Sequence, residues 1–304
     1  TGDDMQAVSS TKRVANYYRF NFTKDDNPSS HWSYLYSIIQ NCNLILMNID
    51  KLVIDEDDKA YRDDLKGEAL AIRGLALFDL TRIFGYPYLK DDGASLGVPI
   101  IEGLSTIDSK PTRNTVAQCY TKIIDDLTQS LSLLGEKFNK GKINKWGAMV
   151  LLSRVYLYKG ENANALKMAS DAITGAEKNK YALWTNEDYP TAWGEDASAS
   201  KPGEVLFEIV NLTTDSPGKE SMGYLNSYDG YDDMCITCSF YQFLKEDPKD
   251  IRLKLLSFDK KYYAYVNKYQ PQREENIEDA NIPLIRLSEA YLNAAEAAVK
   301  ENDN

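Results

Sequence analysis

Leu65, Ala69, Ile72, Ala76, Leu80 and Phe84 recur at the three- and four-residue spacing of one helical face, with no proline between them. That spacing predicts a buried helix. Gly85 is expected to close it in the left-handed conformation, and Pro87 cannot continue it. The chain then leaves through aromatic and glycine-bearing residues toward Gly97-Val98-Pro99.

Further helices follow on both sides. Residues 1–29 are polar and read as a surface connection, including 24–28. Ser30 is the expected N-cap of a helix whose stripe runs through Trp32, Leu35, Tyr36, Ile39, Cys42, Ile45, Leu46, Ile49 and Leu52. The acidic run Asp55-Glu56-Asp57-Asp58 suits the start of the next helix and fits no calcium-loop spacing. Thr115 and Gln118 have the spacing of a capping box, followed by Val116, Tyr120, Ile123, Leu127, Leu131 and Leu134, with Gly135 as terminator. Two more helices follow, from Asn144 to Tyr158 and from Asn162 to Ile173.

Ala148, Ala165, Ala169 and Ala172, set among Leu152, Tyr156 and Leu166, allow close helix approach in the manner of tetratricopeptide hairpins. The pattern returns degenerately from Ile282 to Val299, and the polar Lys300 to Asn304 reads as an inter-helix turn. The expectation is a mainly α fold. Tetratricopeptide-like helix pairs form a scaffold over 30–180 and 237–304, and a loop-rich region with short strands spans 181–236.

Hydrophobic residues make up 43% of the 304-residue chain, enough for a sizeable core, and no apolar run approaches the roughly 20 residues that cross a bilayer. A net charge of −11 repels phosphate backbones, so nucleic acid is not an expected partner. Four cysteines do not make a disulfide scaffold at this length. Cys235 and Cys238 form half of a zinc or redox motif, but no second CxxC or nearby histidine completes it. A local disulfide and free thiols both remain open there. His31, the single histidine, reads as a surface or capping residue.

No nucleophile elbow, HExxH helix, Walker loop or dinucleotide fingerprint occurs. Glycosidases need two carboxylates at a set separation. With 46 acidic residues some pair always qualifies by chance, so no catalytic residue, metal or cofactor is assigned. Binding sugars asks for less, namely aromatic faces for pyranose C–H groups and amides, hydroxyls or carboxylates for their hydroxyls. Residues 181–236 supply that mixture, with one strand-like island at Glu204–Val210. The candidates are Trp193, Tyr228 and Tyr231 as stacking surfaces, with Asn226, Asp229 and Asp232 as hydrogen-bond partners. Packing on the helices competes with ligand contact at each ring, and Trp146 and Trp184 are assigned to packing.

The order Arg73-Gly-Leu-Ala-Leu-Phe-Asp-Leu-Thr-Arg82-Ile-Phe-Gly-Tyr-Pro87, followed by Gly97-Val98-Pro99, resembles the signature segment of the SusD/RagB family of nutrient-binding lipoproteins. Trp32, Tyr36, Asn41 and Asn43 resemble the pattern on an early helix of that family, which adds Trp32 as a ligand candidate. The likeness continues through Glu204–Val210, Phe240, Asp250-Ile-Arg252, Lys268-Tyr269 and 282–298. It implies a single SusD-like domain that binds oligosaccharides without catalysis at the outer-membrane surface, as a lid on a SusC-like TonB-dependent transporter. The lipid-bearing cysteine and later C-terminal helices of the family are expected outside this chain. A tetratricopeptide adaptor that grips peptides and a helical glycoside hydrolase are the rival readings.

Overall fold

After β1 (Met5–Ala7) and the short α1 (Ala15–Tyr18), the chain forms α2 (Ser29–Asn48), α3 (Lys59–Phe84), α4 (Val116–Leu131), α5 (Lys145–Lys159) and α6 (Asn162–Lys178). It continues through β2 (Val205–Ile209), α7 (Met222–Asn226), β3 (Met234–Ile236), α8 (Cys238–Lys245), β4 (Leu256–Phe258), β5 (Ala264–Val266), β6 (Ile282–Arg286) and α9 (Leu287–Asn302). This computed structural model describes residues 4–21, 23, 29–106, 108–194, 202–212, 214–259, 263–271 and 276–302, and the connection expected over 24–28 lies outside them. The architecture is mainly α with short strands, as the periodicity predicts. Backbone contacts divide it into a loop-rich unit (Thr1–Asn27, Leu183–Ser200, Glu208–Leu284) and a helical unit (Pro28–Ala182, Lys201–Phe207, Ile285–Asn304).

In the helical unit neighbouring helices pack in chain order, α2 on α3, α3 on α4, α4 on α5 and α5 on α6, with α9 against α6 and α5. Because α3 lies against both α2 and α4, its buried surface is wider than one stripe: Leu70, Ala71, Leu77 and Phe78 are buried along with Ala69, Ala76 and Leu80. Fully burying a leucine or phenylalanine contributes about 1.5 to 3 kcal/mol. Small residues set the spacing. A Cβ on Gly74 would lie 3.1 Å from Leu127 of α4, and one on Gly175 of α6 would fall 2.1 Å from the Trp146 ring. Ala165, Ala169, Ala172 and Ala176 are fully buried on α6, which explains the alanine pattern seen in the sequence.

Two N-caps fall where the residues predict. Thr115 and Gln118 exchange both capping-box bonds at the start of α4, Asn144 caps α5, and Gly160 closes α5 at φ +82°. One buried ionic cluster joins three helices. Arg73 of α3 donates to Asp126 of α4 through Nε at 2.8 Å and Nη2 at 2.6 Å, and through Nη1 to Asn43 Oδ1 of α2 at 2.8 Å.

Several boundaries differ from expectation. Gly85 ends α3 in an extended conformation (φ −104°, ψ 176°), not a left-handed one; it is needed for space, since a Cβ would sit 2.7 Å from the Thr81 carbonyl oxygen. Helix α2 already includes Ser29, so Ser30 is inside it. Gly135 lies beyond the end of α4, where its N–H donates to Asp64 Oδ1 at 2.8 Å. The helix expected from Ile282 begins only at Leu287, because Ile282–Arg286 pairs as β6 with β2. The Leu287 N–H bonds the Glu204 carbonyl at 2.9 Å, and the Glu204 side chain receives Arg286 at 2.8 Å. Helix α9 then runs through Asn302, so 300–302 is helix and not turn, while 303–304 lies outside the described residues.

Among the described residues of 237–286, expected as scaffold, there are one eight-residue helix, 3-10 turns and short strands, and most of this range groups with the loop-rich unit. In that unit β1 and β3 pair antiparallel (Gln6 opposite Cys235), as do β4 and β5 (Ser257 opposite Tyr265). A buried polar network ties β2 and the segment after it to the one before β6. Asn211 donates to Ala280 O at 2.6 Å and Asn281 to Glu208 at 2.8 Å, while the Asn211 N–H donates to Asn281 Oδ1 at 2.9 Å. Such pairing offsets the desolvation of the buried amides. Among the described residues no helix is long and apolar enough to cross a membrane.

Candidate functional site

Five of the seven predicted ligand residues lie on one curled segment of the loop-rich unit. Ser221 caps α7 by accepting from the Tyr224 N–H at 3.1 Å, and the turn beyond the helix folds back on it. The N–H groups of Tyr231 and Asp233 donate to Tyr224 O and Leu225 O at 2.9 and 3.1 Å. A Cβ on Gly230 would lie 2.0 Å from the Tyr224 carbonyl oxygen, so only glycine permits this return. The segment 226–232 is therefore a built turn whose outward groups are fixed by its backbone.

On it Tyr228 is 44% exposed and Tyr231 38%. The Tyr228 ring leans on Tyr265 at a centroid distance of 6.0 Å. Tyr231 carries the Arg13 guanidinium 4.1 Å from its centroid and meets Tyr224 edge-on at 5.0 Å, so more of its surface is already engaged. Asp229 is exposed. Asp232 takes a left-handed φ of 54°, accepts from the Tyr265 hydroxyl and faces Lys12 Nζ at 3.6 Å. Burial, and then the Asp232 carboxylate, push the Tyr265 hydroxyl well above its ordinary value. The Asn226 side-chain N–H donates back to Met222 O at 2.9 Å. Tyr228 and Asp229 are thus the freest groups on the turn.

Trp193 does not share this arrangement and is corrected as a stacking surface. It is 6% exposed, meets Trp184 and Tyr189 edge-on at 4.9 and 5.6 Å, and carries Lys268 Nζ 4.9 Å from its ring centroid. Three aromatic rings here consume one another's surface and form a small core for a loop with few aliphatic residues. Trp184 and Trp146 pack as expected, the latter against Gly175.

Trp32 lies in the helical unit, at a separate cleft of about 350 Å³ between α2 and the chain after Pro99. It is half-buried, tilted against Tyr36 and edge-on to Phe84, each at 5.0 Å. Tyr36, Gln40 and Asn43 follow one another on the same face of α2 and strap that chain down. Tyr36 OH donates to Pro99 O at 2.7 Å, Gln40 exchanges two bonds with Ser105 at 2.9 and 3.1 Å, and Asn43 donates to Ile101 O and Gly103 O at 2.8 and 2.9 Å. Sequence reasoning noted Trp32, Tyr36 and Asn43 but missed Gln40, Ser105, Thr106 and Ser109. The signal for Gln40 was its place between Tyr36 and Asn43 at helical spacing.

All four cysteines are free, with Cys238 exposed and Cys42, Cys119 and Cys235 buried. No group of three or more metal-ligating side chains occurs among the described residues. His31 is exposed at the start of α2.

Residues 2–157 match a SusD-like family described as starch-binding and associating with the outer membrane. The chain belongs to the SusD-like family. A candidate sugar-binding protein from Bacteroides vulgatus ATCC 8482 is 82% identical over the whole chain, which covers 68% of that protein, with a TM-score of 0.96. A SusD superfamily protein from Bacteroides thetaiotaomicron VPI-5482 is 36% identical over 98% of this chain and 69% of its own, with a TM-score of 0.89. A SusD-like protein of Bacteroides ovatus is 28% identical over 135 residues, 44% of this chain, and the match spans 23% of that curated relative's length. In this SusD-like chain the signature arginine, Arg73, is the residue that holds Asp126 in the core.

Proposed function

We propose that this SusD-like chain captures oligosaccharides at the bacterial surface without cleaving them and hands them to a SusC-like TonB-dependent transporter. In this reading the whole protein is a RagB-type lipoprotein held at the outer membrane by a lipid anchor. The observation that carries the reading is the match to a family described as starch-binding and associating with the outer membrane. The sugar-binding description of the 82% identical relative supports the same ligand class.

The proposed contact surface is the turn at 226–232. Tyr228 supplies a ring face, Tyr231 a second and more constrained one, and Asp229, Asp232 and the Asn226 oxygen accept from sugar hydroxyls. Capture of this kind needs no paired carboxylates, and a site of moderate affinity keeps release possible. Incubation with plant and host glycan panels, following tryptophan fluorescence and reducing ends together, tests the proposal. A saturable fluorescence change without new reducing ends is expected; release of reducing ends would overturn it and favour a hydrolase.

A further inference from the structure

We propose that the α2 cleft of the helical unit is a second carbohydrate subsite, selective for neutral saccharides. It goes beyond the turn at 226–232 and borrows from the proposed function only the class of ligand.

Three features of the cleft carry the inference. First, one wall is aromatic: Trp32 and Tyr36 stand together on α2, with Pro99, Ile101 and Pro111 as further apolar surface. Second, the rim consists of short hydroxyls and one amide, from Ser33, Ser37, Gln40, Ser105, Thr106 and Ser109. Aromatic faces next to small donor-acceptor groups match a pyranose, whose C–H face is apolar and whose equatorial rim is hydroxylated. Third, the described residues that line the cleft include no charged side chain. A uronate or sulfated sugar would lose hydration there without meeting a cation, whereas a neutral sugar leaves no charge uncompensated.

The cleft is also pre-organised. The straps from Tyr36, Gln40 and Asn43 fix the chain after Pro99, and on the far side the Thr106 N–H donates to Ser109 Oγ at 2.8 Å. The loop therefore need not be ordered at the moment of binding, which removes one of the costs of association. At about 350 Å³ the space falls in the range of small-molecule clefts and suits a short saccharide segment.

Fluorine NMR of the chain labelled with fluorotryptophan tests this directly, because the four tryptophans report separately and Trp32→Phe assigns the relevant line. The probes are maltoheptaose, laminarihexaose, cellohexaose and mannohexaose as neutral ligands, and trigalacturonate as the acidic one. The Trp32 line is expected to shift saturably with at least one neutral probe and to stay fixed with trigalacturonate. Ser37→Arg places a long cation in the cleft from an exposed helical position, and should weaken the Trp32 response by about tenfold or more. The response should survive in Tyr228→Ala/Tyr231→Ala.

A Trp32 line unmoved by every neutral probe overturns the subsite. So does a response to trigalacturonate equal to that for the neutral probes, or one that Ser37→Arg leaves intact. Failure of the 226–232 reading looks different: the two-tyrosine variant would then bind glycan as well as the parent while the Trp32 line still responds.

Discussion

Replacing Asp126 with alanine should test the helical unit at its most sensitive point. Asp126 has no exposed surface; its carboxylate accepts from Arg73 at 2.6 and 2.8 Å and faces Lys122 Nζ at 3.1 Å. Lys122 also reaches Glu102 at 2.6 Å near the surface, so it keeps a partner when Asp126 is removed. Arg73 does not, because its side chain is only 9% exposed and its remaining bond goes to the neutral Asn43. Two charge-assisted hydrogen bonds at about 1.5 to 3 kcal/mol each give a loss of about 3 to 6 kcal/mol. Breaking a buried pair from one side costs about 3 to 5 kcal/mol by an independent comparison. Urea unfolding followed by tryptophan fluorescence should show the midpoint falling with little change in slope. The partner variant Arg73→Met/Asp126→Leu removes both charges together and should recover more than half of the loss. A change below about 1 kcal/mol for Asp126→Ala, the size expected of an exposed pair, would refute the buried-cluster reasoning.

Other consequences follow from burial. Gly175→Ala places a methyl 2.1 Å from the Trp146 ring, so α5 and α6 must separate, and thermal melting should report a loss of about 1 to 3 kcal/mol; an unchanged melt would mean the contact yields freely. Burial pushes the Tyr120 and Tyr181 hydroxyls up to about 12, so their neutral forms stabilise the fold. That contribution is complete below the unfolded value of about 10 and is lost as pH rises toward 12, visible as late phenolate absorbance together with falling stability; full tyrosine titration near pH 10 in the folded chain would contradict it. Iodoacetamide near neutral pH should label Cys238 first. Cys42, pushed up to about 11 by burial, should react only on unfolding, and mass spectrometry showing equal labelling of both would be incompatible with the structure.

The helices were legible because their signals are local. Apolar spacing, the Thr115/Gln118 capping box and the alanine rows of α6 each act within a turn or two of helix, and the structure uses all of them. Errors arose where a distant partner decides the conformation. Ile282–Arg286 pairs with β2, some seventy residues earlier, so a stretch with helical spacing becomes a strand. Gly85 is set by its distance to Thr81 and not by its dihedral freedom.

The same contrast applies to the candidate sites. Composition marked 181–236 as rich in rings but could not separate outward from inward ones. Trp193 is spent on Trp184 and Tyr189, whereas Tyr228 is lifted outward by the Gly230 return. The α2 cleft was half visible, because Trp32 and Tyr36 stood out while the serines that face them lie some seventy residues away.

Isothermal calorimetry with maltoheptaose and the glycan panel, comparing the parent chain with Tyr228→Ala/Asp229→Ala and Trp193→Phe, bears most directly on sugar capture at the 226–232 turn. The account predicts affinity weakened by about tenfold or more in the first variant, the scale of one aromatic contact with its hydrogen bond, and unchanged in the second. Equal affinity in the parent chain and the Tyr228/Asp229 variant, or a loss confined to Trp193→Phe, would contradict it.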